Sequence, residues 1–134
     1  MIDAAFAAFA APLADYLQST GLAGPGASSE AVISGAWSVL LTSGGRHSDH
    51  AHPKGRISSA FYVRVPEPSP AEPFGGWLRF GALHLGPALE LPPEHRIEPK
   101  PGRLALFPSY LWHGTEPFSG GERLTIAFDA QVSD

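Results

Sequence analysis

Glycine and proline limit what this chain can fold into more than any other feature. The 15 glycines and 14 prolines cluster at Ser43-Gly-Gly, Pro66 to Gly76, Pro92-Pro93, Pro99 to Gly102 and Ser119-Gly-Gly. Between them lie short apolar runs at Ala36–Thr42, Ile57–Val65, Trp77–Phe80, Arg103–Phe107 and Leu124–Ala130. Proline removes a backbone donor and glycine favours turns, so long helices are excluded there and strands separated by turns are expected. Ile57–Val65 is apolar at nearly every position from Ala60, the pattern of a strand covered on both faces. So many short strands close most readily as a double-sheet barrel or jelly roll, and a mainly β fold is the expectation.

The N-terminus differs. Ala4 to Leu17 repeats apolar residues at near-helical spacing (Phe6, Phe9, Leu13, Leu17) behind Asp3, a candidate N-cap. Pro12 inside this stretch predicts a kinked helix or two short pieces. The stretch lacks the basic start of a signal peptide and carries Asp3, so it reads as a helix. Gly21 to Ser29 reads as a loop. At 134 residues the chain is expected to form a single domain over 1–134, with a helix over 1–20 and a β core over 34–130.

A formal charge of −4 and the lack of a basic stripe argue against nucleic acid or an anionic membrane as partner. No run approaches the roughly 20 apolar residues of a membrane span. The absence of cysteine excludes disulfides, thiolate metal sites, iron–sulfur clusters and a cysteine nucleophile, and fits a cytoplasmic protein.

Three of the six histidines fall within His47-Ser-Asp-His-Ala-His52. Side chains at i and i+2 of an extended segment share a face, so His47/Asp49 and His50/His52 are each a possible chelating pair. The two pairs are out of parity, and one of them is expected to bind. A distant third ligand, His113, would complete a site with open positions, as non-haem iron requires. Arg123 lies ten residues beyond it (113 to 123). Arg123 and Thr125 share a strand face, where a guanidinium fork and a hydroxyl can hold one carboxylate. Trp77, Tyr110 and Trp112 are candidate walls of the pocket.

Read together, His-x-Asp-His-x-His-Pro (47–53), Ile57-Ser-Ser-Ala-Phe-Tyr-Val, Pro101-Gly-Arg-Leu-Ala-Leu-Phe-Pro-Ser-Tyr-Leu-Trp-His-Gly-Thr and Arg123-Leu-Thr-Ile-Ala-Phe-Asp129 resemble the 2-oxoglutarate/Fe(II)-dependent oxygenases. The resemblance is nearest to a branch with an H-x-H-P signature, related to phage and proteobacterial proteins, some with upstream tetratricopeptide repeats. It covers residues 34–130. It implies a double-stranded β-helix, Fe(II) and 2-oxoglutarate as cofactors, and O2 as co-substrate. The implied reaction is oxidative decarboxylation coupled to oxidation of an unidentified substrate. It further implies His113 as distal ligand, Arg123 with Thr125 as the carboxylate site, and Tyr62 as a hydrogen-bond donor to the same carboxylate. The H-x-H-P spelling favours His50 and His52 as the proximal pair. The wider superfamily's H-x-D favours His47 and Asp49, which would give iron an anionic ligand. If His50 and His52 bind, Asp49 is a candidate to orient one imidazole from behind. Arg56 departs from the pattern beside the entrance.

Two rival functions fit the same residues: an inert jelly-roll binding module, and a cupin-like three-histidine dioxygenase independent of 2-oxoglutarate. A structural zinc protein fits poorly, since a β core of this size needs no metal to fold. Met1 reads as a complete chain, while the relatives with upstream repeats also fit one module of a longer ancestor.

Overall fold

The computed structural model describes residues 6–22 and 30–132. The Asp3 cap, the Ala4 start and most of the Gly21–Ser29 loop lie outside them. A 3-10 turn, Ala7–Phe9, runs into helix α1, Ala10–Thr20; the stretch is in two short pieces, but they meet at Ala10 and not at Pro12. Pro12 is the third residue of α1, where a backbone N–H has no intrahelical partner, so the helix continues through it. Gly21 ends α1 in the left-handed conformation (φ 68°), its N–H reaching the Leu17 carbonyl at 3.1 Å.

Among the described residues nine strands follow. β1 (Ala31–Leu41), β2 (Ile57–Arg64), β7 (Leu104–Pro108) and β9 (Arg123–Val132) form one antiparallel sheet in the order β1-β9-β2-β7. β3 (Leu78–Phe80), β6 (His95–Ile97) and β8 (His113–Thr115) form a second, ordered β6-β3-β8. β4 (Leu83–His84) and β5 (Glu90–Leu91) make a small hairpin. The two facing antiparallel sheets form the anticipated jelly roll.

The four-stranded sheet is covered on both faces. On one, Leu13 and Leu17 of α1 pack with Ile57, Phe128 and Ala130, flanked by Phe6 and Phe9. On the other, Ala60, Tyr62, Ala105 and Phe107 meet Leu78 and Phe80 of the second sheet. Burial of side chains of this size stabilises by roughly 1.5–3 kcal/mol each. The double cover accounts for the apolar run in β2, but only as far as Tyr62, because Val63 and Arg64 are exposed. Among the described residues no helix is long and apolar enough to cross a membrane.

Candidate metal centre

Strand alternation on β9 defines the site. Its odd positions, Arg123, Thr125, Ala127 and Asp129, all line one cavity between the sheets, while Phe128 and Ala130 face α1. From the opposite sheet, His113 and Thr115 of β8 point into the same cavity. The segment before β2 brings the remaining histidines. His50 pairs with His113 through two backbone hydrogen bonds, His50 N–H to the His113 carbonyl at 2.8 Å and the reverse at 2.9 Å. The His52 N–H is held by the Ser109 carbonyl at 2.8 Å.

The imidazoles of His50, His52 and His113 consequently converge. Ring centroids lie 4.5 Å (His50–His113), 4.9 Å (His50–His52) and 5.3 Å (His52–His113) apart. One ring nitrogen from each falls within 4.8 Å of the other two. Two metal–nitrogen bonds of about 2.1 Å span slightly less, so small side-chain rotations close the set around an ion.

Hydrogen bonds identify the nitrogens that remain free. The Nδ1 of His50 donates to the Ser48 carbonyl (2.8 Å) and that of His113 to the Leu111 carbonyl (2.7 Å). The Nδ1 of His52 lies 2.6 Å from Asp129 Oδ2. A carbonyl can only accept, so the first two rings are Nδ1–H tautomers that leave an Nε2 lone pair for a metal. Burial, with the charges of His50 and His52, pushes His113 down to about 4 against the partly offsetting hydrogen bond to Leu111, so it is neutral at pH 7. Phe107 stands edge-on to its ring at 4.7 Å. Trp37 stacks beside His52 at 6.0 Å.

The alternative pair, His47 and Asp49, is not brought together. Asp49 turns to the outer side of β8, where Arg79 grips it with Nε–Oδ1 3.0 Å and Nη2–Oδ2 2.6 Å. Gly114 makes room, because a Cβ there would lie 2.5 Å from Asp49 Oδ1. Asp49 therefore does not orient an imidazole either; Asp129 occupies that place behind His52. His47 lines the cavity with its ring 6.2 Å from His50, outside the converging trio. Burial and the nearby Arg123 cation lower its pKa.

Arg123 and Thr125 are almost fully buried in the same cavity. Arg123 Nε donates to the Gly76 carbonyl at 2.9 Å, and its guanidinium lies 5.2 Å from the centre of the Tyr62 ring. Burial lowers the Arg123 pKa, and no carboxylate among the described residues pairs with it. Tyr62, opposite Thr125 in the sheet register, is wholly buried; its hydroxyl lies beside the Arg123 guanidinium without a well-formed hydrogen bond, and its own proton has no acceptor. Burial raises its pKa, with Arg123 opposing. A desolvated cation and an unsatisfied hydroxyl are each unfavourable alone, and both are satisfied by a buried carboxylate. The residues present thus fit an iron ion and a dicarboxylate together.

The family described as “Putative 2OG-Fe(II) oxygenase” matches the sequence over residues 35–129. The chain belongs to this family. Its fold is similar to that of a 2OG-Fe(II) oxygenase family oxidoreductase from Burkholderia pseudomallei (15% identity, TM-score 0.61), over 81% of this chain and 47% of that one. A prolyl-4-hydroxylase from Pseudomonas putida aligns at 23% identity and TM-score 0.56, covering 90% of this chain and 62% of that one. The viral collagen prolyl hydroxylase of Paramecium Bursaria Chlorella virus-1 aligns at 18% identity and TM-score 0.57, covering 87% and 65%. This oxygenase-family chain therefore spans about half to two thirds of the length of these solved relatives, and the likeness is one of fold. No curated protein matches it.

Two sequence expectations change within this site, and one residue is added to it. Trp112 and Tyr110 face solvent and Trp77 packs on Phe74; Trp37 and Val39 of β1 line the cavity in their stead. Arg56 points to the Leu22 carbonyl (3.4 Å), away from the cavity. Asp129 had a signal that sequence reading left unused: it continues the odd-numbered face that carries Arg123 and Thr125.

Proposed function

We propose that this protein is a non-haem Fe(II)- and 2-oxoglutarate-dependent oxygenase. The Nε2 atoms of His50, His52 and His113 would hold the metal, and Arg123, Thr125 and Tyr62 the far carboxylate of 2-oxoglutarate. The observation that carries this reading is the shared cavity, with three imidazoles whose Nδ1 atoms are already engaged and a buried cation lacking a carboxylate. Bound Fe(II) and 2-oxoglutarate would supply the oxidising power, by coupling decarboxylation to succinate and CO2 with oxidation of a substrate by O2. The chain's own residues do the rest. The Nδ1 hydrogen bonds fix the tautomers, Phe107 and Trp37 hold two of the rings, and the two sheets exclude water from Arg123. That desolvation strengthens its attraction for an anion.

A second reading, a three-histidine dioxygenase that needs no 2-oxoglutarate, draws on the absence of a carboxylate from the converging trio. The unpaired Arg123 counts against it. Calorimetric titration of the Co(II)-loaded protein with 2-oxoglutarate separates the two. Loss of a charge-assisted carboxylate anchor costs about 2–5 kcal/mol, so Arg123→Ala should weaken 2-oxoglutarate binding by roughly 30-fold to a few thousandfold while Co(II) affinity stays close to wild type. Unchanged 2-oxoglutarate affinity in Arg123→Ala, or no affinity in the wild type, would reject the proposal. Succinate formed by the Fe(II) protein in the presence of 2-oxoglutarate and O2 would support the enzymatic step.

A further inference from the structure

The three histidines are not supported alike. His50 and His113 give their Nδ1–H to neutral backbone carbonyls, whereas His52 meets a carboxylate, Asp129, at 2.6 Å. That carboxylate is itself tightly held. Its Oδ1 accepts from the Ser58 hydroxyl at 2.7 Å, and Ser58 lies 3.0 Å from the Ser109 hydroxyl. One hydroxyl has one proton, so the consistent assignment is Ser109 donating to Ser58 and Ser58 donating to Asp129. Both serines are essentially inaccessible to solvent. Gly55 leaves room for this chain of groups, since a Cβ there would stand 2.7 Å from Ser109 Oγ.

The charge balance gives the arrangement meaning. Three neutral imidazoles leave a divalent ion with its full double charge, whereas two histidines and one carboxylate reduce it by one. Asp129 restores the missing negative charge one hydrogen bond behind the metal, through the ring of His52. A carboxylate accepting from Nδ1–H makes Nε2 a stronger donor and fixes its direction. Because negative charge favours the higher oxidation state, the effect should be larger on Fe(III) than on Fe(II).

We propose that Asp129 is a positioning residue which, through His52, supplies the all-histidine centre with the anionic character that a ligating carboxylate would otherwise bring. Ser58 and Ser109 hold it in place. This rests on the reading of His50, His52 and His113 as iron ligands and goes beyond it.

Asp129→Asn keeps the shape and an acceptor oxygen but removes the charge. The test is anaerobic Fe(II) titration of wild type, Asp129→Asn, Ser58→Ala and His113→Ala, followed by spectroelectrochemistry of the Fe(III)/Fe(II) couple in those that bind. Asp129→Asn should bind Fe(II) about 10- to 100-fold more weakly, as is usual when the partner of a ligating histidine is removed. If Fe(III) affinity falls tenfold further than Fe(II) affinity, the potential rises by about 59 mV. Ser58→Ala keeps the charge and loosens it, so its potential should shift the same way by less. A merely structural Asp129 would lower thermal stability and leave the potential at the wild-type value, which overturns the proposal. Should Asp129→Asn fail to fold, Ser58→Ala carries the test, and a potential equal to wild type overturns it. Wild type that binds no Fe(II), or His113→Ala that binds as wild type does, would instead overturn the reading of the three histidines as ligands, and the proposal with it.

Discussion

Asp49→Asn should destabilise the protein by about as much as loss of a sizeable core side chain, although Asp49 touches neither a ligand nitrogen nor the core. Its carboxylate and the Arg79 guanidinium are 8% and 10% exposed and form two hydrogen bonds, at 2.6 and 3.0 Å. Removing one partner of a buried, well-formed pair costs about 3–5 kcal/mol, because the other charge stays desolvated. Arg79 keeps a longer contact of 3.4 Å to Glu116, which already receives Arg96 at 3.0 Å, so the lower end applies. A loss of about 3 kcal/mol in a domain of this size lowers the melting temperature by roughly 10 °C. Thermal unfolding followed by circular dichroism measures this directly. A cycle with Asp49→Leu, Arg79→Leu and the double variant isolates the pair: each single change should cost several kcal/mol, and the double much less than their sum. A single-variant loss under about 1 kcal/mol would refute the reasoning, since that is the range of a solvent-screened surface pair.

Two further outcomes follow from the same cavity. Tyr62→Phe removes a buried hydroxyl that has no well-formed hydrogen bond but lies beside the Arg123 guanidinium, so stability without co-substrate should stay within about 1 kcal/mol of wild type while 2-oxoglutarate binding weakens; a loss of about 2 kcal/mol or more would show the hydroxyl to be satisfied in the resting protein. His113 has a folded value of about 4 against the ordinary 6.5, so the unfolded chain takes up the proton first as pH falls. Metal-free protein should therefore keep this contribution above pH 6.5 and lose it progressively down to about 4, by on the order of 2 kcal/mol once solvent screening is allowed for. Urea midpoints at pH 7 and 4.5 test this, and a His113→Asn variant with an undiminished slope would refute it.

The sequence marks strands where composition changes sharply, the three-residue β3 included, and leaves β6 and β8 unmarked because they lack an apolar run. β2, β7 and β9 are runs of apolar residues between glycine and proline clusters, and each lies within about two residues of its expected bounds. β1 begins at Ala31, five residues before the expected Ala36, because Ser34 and Gly35 interrupt the apolar pattern at an irregularity in its register with β9. β8 is only His113–Thr115, and β6 is His95–Ile97 with charged residues outward, so neither carries a strand signature of its own. Their pairing with β3 is set by tertiary packing. The proximal histidines show the same boundary between local and long-range information. Parity predicted that the two candidate pairs could not both face one ion. The placement of Asp49 away from the three converging imidazoles rests on Arg79, thirty residues beyond it in sequence, and on Gly114. Nothing local marks Trp37 as a pocket wall, because its place depends on the register Trp37–Ala127 between β1 and β9.

That β9 carries chemistry on one face and packing on the other has a consequence for the whole chain. Slippage by a single residue would exchange Arg123, Thr125, Ala127 and Asp129 for Leu124, Ile126, Phe128 and Ala130, placing charged groups beneath the helix and bulky hydrocarbon in the cavity. The contacts that forbid the slip are those of Leu13 and Leu17 with Phe128 and Ala130, on the far side of the sheet from the histidines. In this sense α1 is an alignment pin for the cavity. It touches nothing reactive, yet a loosened helix would first be noticed as a misplaced aspartate and arginine.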